Sequence, residues 1–149
     1  PRVFAEPYSD DDCQKKRCEV FCFGGIPRYI LCQDTFFDLN GNKADIAYSD
    51  VQIENETVCL PATDCQKLAA LAEKLAKGQS FVCVDFCIDS NEHIWFEKMT
   101  FTPESGIRLW ADESMDRRLG DMLILPIKNP IPKYEGYDRL KKDLIAKGR

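Results

Sequence analysis

An α+β fold, an antiparallel sheet with packed helices, is the class that this sequence predicts, and three observations predict it. Residues 81–103 hold two β-branched and aromatic runs, Phe81-Val-Cys-Val-Asp-Phe-Cys-Ile88 and His93-Ile-Trp-Phe-Glu-Lys-Met-Thr-Phe-Thr-Pro103, around the polar turn-formers Asp89-Ser-Asn-Glu92. Neither run is long enough for a helix, so the pair reads as a β-hairpin. Residues 18–23 and 26–32 are two more extended runs, joined by Gly24-Gly25, a two-residue turn of the kind hairpins favour. Residues 61–78 place Leu68, Leu71, Ala72 and Leu75 in one stripe at helical spacing, a helix suited to cover a sheet.

Taken in order, the 149 residues suffice for one ordinary core. The chain opens without methionine on Pro1-Arg2-Val3-Phe4-Ala5, already strand-like, so we expect the later part of something longer. Residues 3–8 read as a short strand, and residues 9–17 as a polar connector with acid first and base after, a solvated loop. Pro27 lacks a donor and puts its strand at an edge there. Between residues 33 and 59 the pattern weakens into loops and short extended pieces. Asp38, Asn40 and Asn42 resemble the start of a calcium loop, but Lys43 stands where that loop requires glycine, which excludes it. Thr63, with Gln66 three residues on, forms a capping box for the helix, and Gly78 supplies its left-handed stop. After the central hairpin, residues 102–106 form a turn that brings backbone donors close to whatever the hairpin face binds. Asp112, Glu113, Asp116, Arg117 and Arg118 read as a solvated helical face with internal pairing. The apolar run 123–126 closes a domain of residues 1–126. A proline-rich linker and a C-terminal helix over residues 137–147, with Leu140, Leu144 and Ile145 on one side, occupy 127–149.

Composition narrows the functions. A net charge of −5 with both signs interspersed gives no footprint for nucleic acid. No apolar run approaches the roughly 18 residues of a membrane span, and the start carries no signal-peptide pattern. Eight cysteines without a Cys-x-x-Cys, beside a single histidine, argue against zinc. A chain with a full apolar complement does not need a disulfide framework, so reduced thiols in a cytoplasmic setting are expected.

Asp85 is the residue that asks for an explanation, because a carboxylate inside an apolar strand is costly unless it meets a cation, a metal or several donors. Pairing Ile88 with His93 sets Asp85 opposite Phe96 and leaves Lys98 its diagonal neighbour on one face. An acid displayed this way suits a magnesium nucleotide, since hard cations want oxygen ligands and leave positions for phosphate oxygens. A plain structural ion pair is the other reading, and the spacing leaves both open. His93, Trp110 and Tyr134 read as a solvated side chain and two packing residues.

The ordered segments Ala5-Glu-Pro-Tyr8, Phe21-Cys-Phe-Gly-Gly25 with Arg28-Tyr-Ile30, Val82-Cys-Val-Asp-Phe-Cys87, Ile94-Trp-Phe-Glu-Lys-Met-Thr-Phe-Thr-Pro-Glu-Ser-Gly106 and Leu119-Gly-Asp-Met-Leu-Ile-Leu-Pro126 together resemble the C-terminal part of the TupA-like (teichuronopeptide-biosynthesis) branch of the ATP-grasp superfamily. The resemblance implies an ATP-grasp-like C-terminal lobe that binds ATP with Mg²⁺. The hinge at Phe4, Ala5 and Glu6 would meet adenine. On the hairpin side, Asp85 would hold the metal, with Lys98, Thr100, Ser105 and Gly106 near the phosphates. It further implies an ATP-dependent carboxylate–amine ligase or transferase of cell-surface polymer synthesis, with a polymer or sugar acceptor. A preceding lobe or a partner chain would complete the cleft. No catalytic residue is assigned. The chain departs from the family's pattern at four places: Cys83 replaces an arginine, Lys98 the metal-binding glutamate, Glu19 a lysine and Thr35 an arginine. Glu97 is expected on the opposite face of its strand from Lys98. A lysine ammonium cannot coordinate magnesium, so a catalytically silent binding module that keeps the lobe stands as the alternative.

Overall fold

A computed structural model describes residues 16–51 and 58–123. The expected hinge strand with Phe4, Ala5 and Glu6, the expected linker and C-terminal helix, and the expected boundary at residue 126 lie outside the described residues. Five strands, β1 (Lys16–Phe23), β2 (Ile26–Cys32), β3 (Thr35–Phe37), β4 (Phe81–Ile88) and β5 (Ile94–Thr100), form one antiparallel sheet in the order β3-β2-β1-β4-β5. Helix α1 (Ala62–Ala76) links β3 to β4, and a 3-10 turn (Pro103–Gly106) leads to α2 (Glu113–Gly120). The expected α+β class is what forms. β3 is one of the short extended pieces of the weakly patterned middle. Within β2 it pairs with residues 30–32, so among the described residues Pro27 has no strand partner on that flank, as its missing donor requires.

Strand alternation divides the core into two layers. Cys18, Val20 and Cys22 of β1 with Val82, Val84, Phe86 and Ile88 of β4 face α1, and Phe21, Phe23 and Cys83 face the other way. Two expectations for α1 are corrected. Its buried face is Cys65, Leu68, Ala72 and Ala76, while Leu71 and Leu75 are 38% and 41% exposed. The small side chains at 72 and 76 let the helix sit close to the sheet, and the leucines one residue away cover its flank. The Thr63 capping box does not form either. Pro61, at φ −58° and ψ 142°, is the last residue before the helix, and its carbonyl accepts from Asp64 N and Cys65 N. Thr63 is therefore already inside the first turn. Gly78 does stop the helix, at φ +82°.

The β4–β5 register also differs from the expected one. Ile88 pairs with Ile94, Cys87 with Trp95 and Phe86 with Phe96, and an irregularity then puts Asp85 opposite Lys98 and Cys83 opposite Thr100. Two residues of β5, Glu97 and Lys98, fit in where one residue of β4 advances, which is a β-bulge. Asp85 and Lys98 are thus direct partners instead of diagonal ones, because the longer turn, closed by Asp89 N to the His93 carbonyl at 3.0 Å, consumes His93 and the bulge adds one more residue to β5.

Candidate functional site

The face away from α1 carries a row of three ionisable side chains across three adjacent strands: Glu19 on β1, Asp85 on β4 and Lys98 on β5, each directly opposite the next. The Asp85 side chain is 8% exposed and that of Lys98 is 68% exposed, so the acid lies in the sheet and the amine reaches over it into solvent. Lys98 Nζ lies 3.5 Å from Asp85 Oδ2, and Thr100 Oγ1 donates to the same oxygen at 3.3 Å. Asp85 Oδ1 is buried and has no hydrogen-bond partner among the described residues. Burial holds the Asp85 carboxyl above the usual aspartate range, against the lowering effect of Lys98 and Thr100, and Glu97 adds to the rise. Glu19 is likewise pushed up, first by burial, then by the charges of Asp85 and Glu104, with Lys98 and Arg108 opposing.

Glu97 is not on the far face. The bulge turns it toward the row, where it raises the Asp85 carboxyl, and its Oε1 lies 3.8 Å from Nε of Arg17, which shares the odd-numbered face of β1. The sequence carried a signal for this. Apolar residues occupy even positions at Ile94 and Phe96 and odd ones at Met99 and Phe101, a change of phase that a continuous strand cannot accommodate.

Beside the row, a cavity of about 680 Å³ opens over Phe21, Phe23, Tyr48, Phe81, Arg108 and Trp110. Tyr48 and Trp110 stack with centroids 4.6 Å apart and planes 17° apart, and Phe36 packs against both. Trp110 therefore packs, as expected, and also walls the cavity. Arg108 lies 4.1 Å above the Tyr48 ring, donates from Nε to both Asp50 oxygens at 2.9 and 3.1 Å, and from Nη2 to Asp34 at 3.0 Å. These bonds fix the guanidinium at the rim. Pro103 and Gly106 of the 3-10 turn line the same cavity. Glu104, Ser105 and Gly106 stand at φ 51°, 56° and 70°, so two non-glycine residues hold left-handed backbone there. That costs about 1 kcal/mol or more each and is of the kind found at ligand-facing turns.

Of the residues singled out in the sequence, the structure gathers Asp85, Lys98 and Thr100 at one point, brings Gly106 to the cavity and leaves Ser105 exposed on the same turn. Sequence reasoning missed Arg108 and Glu104, and it did not see that Glu19 adjoins Asp85. That pairing follows from β1 meeting β4, with 65 residues between Glu19 and Asp85, which no local pattern sets. The helical face at α2 is as expected: Arg117 pairs with Glu113 at 3.3 Å and Asp112 accepts from Met115 N at 3.0 Å, although Arg118 bonds the Asp45 carbonyl. Among the described residues no cysteine is in a disulfide, no group of three or more His, Cys, Asp or Glu could hold a metal ion, and no helix is long and apolar enough to cross a membrane.

A family model described as TupA-like ATPgrasp matches residues 1–124. Neither a curated protein nor a solved structure matches the chain.

Proposed function

Because the chain belongs to the TupA-like ATP-grasp family, we propose that the face carrying Asp85 binds ATP with Mg²⁺, in an ATP-dependent carboxylate–amine ligase or transferase of cell-surface polymer synthesis in the cytoplasm. One observation carries this reading: Asp85 is buried on the cavity side of the sheet with one carboxylate oxygen engaged and the other left without a partner. An orphaned buried acceptor is costly to a folded chain, and a divalent cation relieves it. The residues present fit Mg²⁺, which takes one or two protein carboxylates and fills its other positions with water and phosphate.

Each element of the face then has a task. The aromatic cavity has the size and lining of a small-ligand site and accepts the base and ribose. Lys98, exposed and tethered to Asp85, and the Thr100 hydroxyl meet phosphate oxygens, and Ser105 and Gly106 supply the turn beside them. Arg108, held by Asp34 and Asp50, keeps a fixed positive charge at the cavity rim. Bound Mg²⁺ would supply charge neutralisation on the phosphates. By the family resemblance Phe4, Ala5 and Glu6, which lie outside the described residues, would contribute to the base site. In the ligase chemistry a substrate carboxylate oxygen attacks the γ-phosphorus with ADP leaving. An amine then attacks the acyl carbon and expels phosphate.

A catalytically silent binding module is the second reading, favoured by Lys98 and Thr100 already occupying Asp85 Oδ2. Thermal melts of the whole chain at millimolar ATP, with and without Mg²⁺, test both. On the first reading Mg-ATP raises Tm in the native chain, and no shift overturns it. On the second, only Lys98→Glu gains the Mg²⁺-dependent shift, and ATP hydrolysis by the native chain ends that reading.

A further inference from the structure

We propose that a divalent cation is held between Glu19 and Asp85, one strand inward from Lys98, so that the second protein ligand comes from β1 and not from β5. The proposal rests on the reading of this face as a magnesium-nucleotide site and names the residue that completes it.

Backbone geometry places the two carboxylates close together. Gly24 N donates to the Ser80 carbonyl at 2.8 Å, which turns the even-numbered amides of β1 toward β4 and the odd ones toward β2. Glu19 and Asp85 are therefore a non-hydrogen-bonded pair, the class with Cα atoms only about 4.5 Å apart and the closer side chains. Two like charges directly opposite each other destabilise a sheet unless something positive lies between them. Lys98 serves that purpose for Glu19 only through its charge and not as an ion-pair partner, since its Nζ is paired with Oδ2 of Asp85. Arg108 is engaged by Asp34 and Asp50. Among the described residues Glu19 has no ion-pair partner, and the atom left over on its neighbour is Asp85 Oδ1, orphaned on a side chain 92% buried by its 8% exposure. The row thus provides two carboxylates with open oxygens and a cation displaced to the far side. That matches the one or two carboxylates Mg²⁺ takes from a protein and leaves its remaining positions to water and phosphate.

Glu97 is the rival ligand, because the bulge brings it to the same face and it raises the Asp85 carboxyl. It already faces the Arg17 guanidinium at 3.8 Å, so a metal there would have to displace a cation. Lys98, freed from the role of metal competitor, is left to contact phosphate.

Titration of the full chain with Mn²⁺ in the absence of nucleotide, read by the electron paramagnetic resonance signal of free Mn²⁺, tests the assignment on native protein, Glu19→Gln and Glu97→Gln. Melting curves establish that each variant is folded. The expected result is one site, weakened about tenfold or more by Glu19→Gln and little changed by Glu97→Gln. No Mn²⁺ bound to the native chain, Glu19→Gln binding like the native chain, or Glu97→Gln as the damaging change would each overturn the proposal. ATP titration of the same proteins separates this question from the nucleotide reading. Mn²⁺ bound through Glu19 without any ATP binding supports the site and defeats the nucleotide. ATP bound equally with or without metal and indifferent to Glu19→Gln leaves the nucleotide and defeats the site.

Discussion

Against α1 the sheet presents Cys18, Val20, Val84 and Phe86, each no more than 2% exposed, and the helix answers with Cys65, Leu68, Ala72 and Ala76. On the opposite face the same two strands present Glu19, Phe21, Cys83 and Asp85, under a cover of aromatic rings that leaves a cavity. The first face is closed by apolar side chains and buried thiols. The second keeps a carboxylate in a place where burial penalises its charge and one of its oxygens has no donor. Two layers built on shared strands thus divide the work: stability comes mainly from the α1 side, and the other side retains a local defect that a cation would remove.

The sharpest way to break that comparison is to empty one side and then the other. Leu68 is fully buried between α1 and the sheet, and Leu68→Ala should cost about 2–5 kcal/mol through lost transfer free energy and the cavity left behind. Urea unfolding checks it, and a loss under about 1 kcal/mol would mean that α1 is not the element on which the core depends.

Asp85→Asn should move stability the other way. Removing a buried charge with an orphaned oxygen raises the unfolding free energy of the ligand-free chain by about 1 kcal/mol at neutral pH, the cost of an unmet buried polar group being about 1–3 kcal/mol and the exposed Lys98 pairing returning part of it. The sign follows from linkage. The Asp85 carboxyl is raised above its ordinary value of 3.8 in the folded chain, so the folded state binds the proton longer than the unfolded one. Stability therefore falls as pH rises from 3.8 through the raised value. Melting curves across the acid range should show the native chain losing ground to Asp85→Asn over that window. A variant no more stable than the native chain at neutral pH would show that Lys98 and Thr100 already satisfy the aspartate.

What could be read in advance divides along the same line. The α1 face was legible because its strands alternate and its helix repeats at 3.6 residues, both local patterns; even so the buried stripe was displaced, since Ala72 and Ala76 decide how closely the helix sits. The hairpin was legible, but its register was not. The turn takes in His93 and β5 takes in an extra residue, and the only trace of the latter was the phase change between Phe96 and Met99. The site was half legible: Asp85, Lys98 and Thr100 follow from one hairpin, whereas Glu19 and Arg108 arrive from distant parts of the chain, through strand order and through bonds to Asp34 and Asp50. Tertiary pairing brought in the residues that sequence spacing could not.

The smallest expected effect comes from setting Asp85 against Asp89, four residues on in the same hairpin and shifted the opposite way. Asp89 sits at the turn, where its carboxylate accepts from Trp95 Nε1 at 3.0 Å, from the Asn91 and His93 amides at 2.9 Å each and from His93 Nδ1 at 3.2 Å. These donors, the Trp95 indole foremost, hold its carboxyl down at about 2. Each stabilises the charged form, so the contribution is present above the ordinary 3.8 and is lost as pH falls toward about 2. Asp89→Asn keeps an oxygen for the two backbone amides but turns a donor toward Trp95. Its Tm should be slightly below that of the native chain at neutral pH and should meet it near pH 2, with a change in Trp95 fluorescence on release of the indole. The two aspartates would then give opposite pH slopes within one hairpin, the turn gaining from its charge and the strand interior losing from its own. Parallel slopes would mean that donors stabilise the charge of Asp85 as they do that of Asp89, and the contrast between the closed face and the strained one would disappear with it.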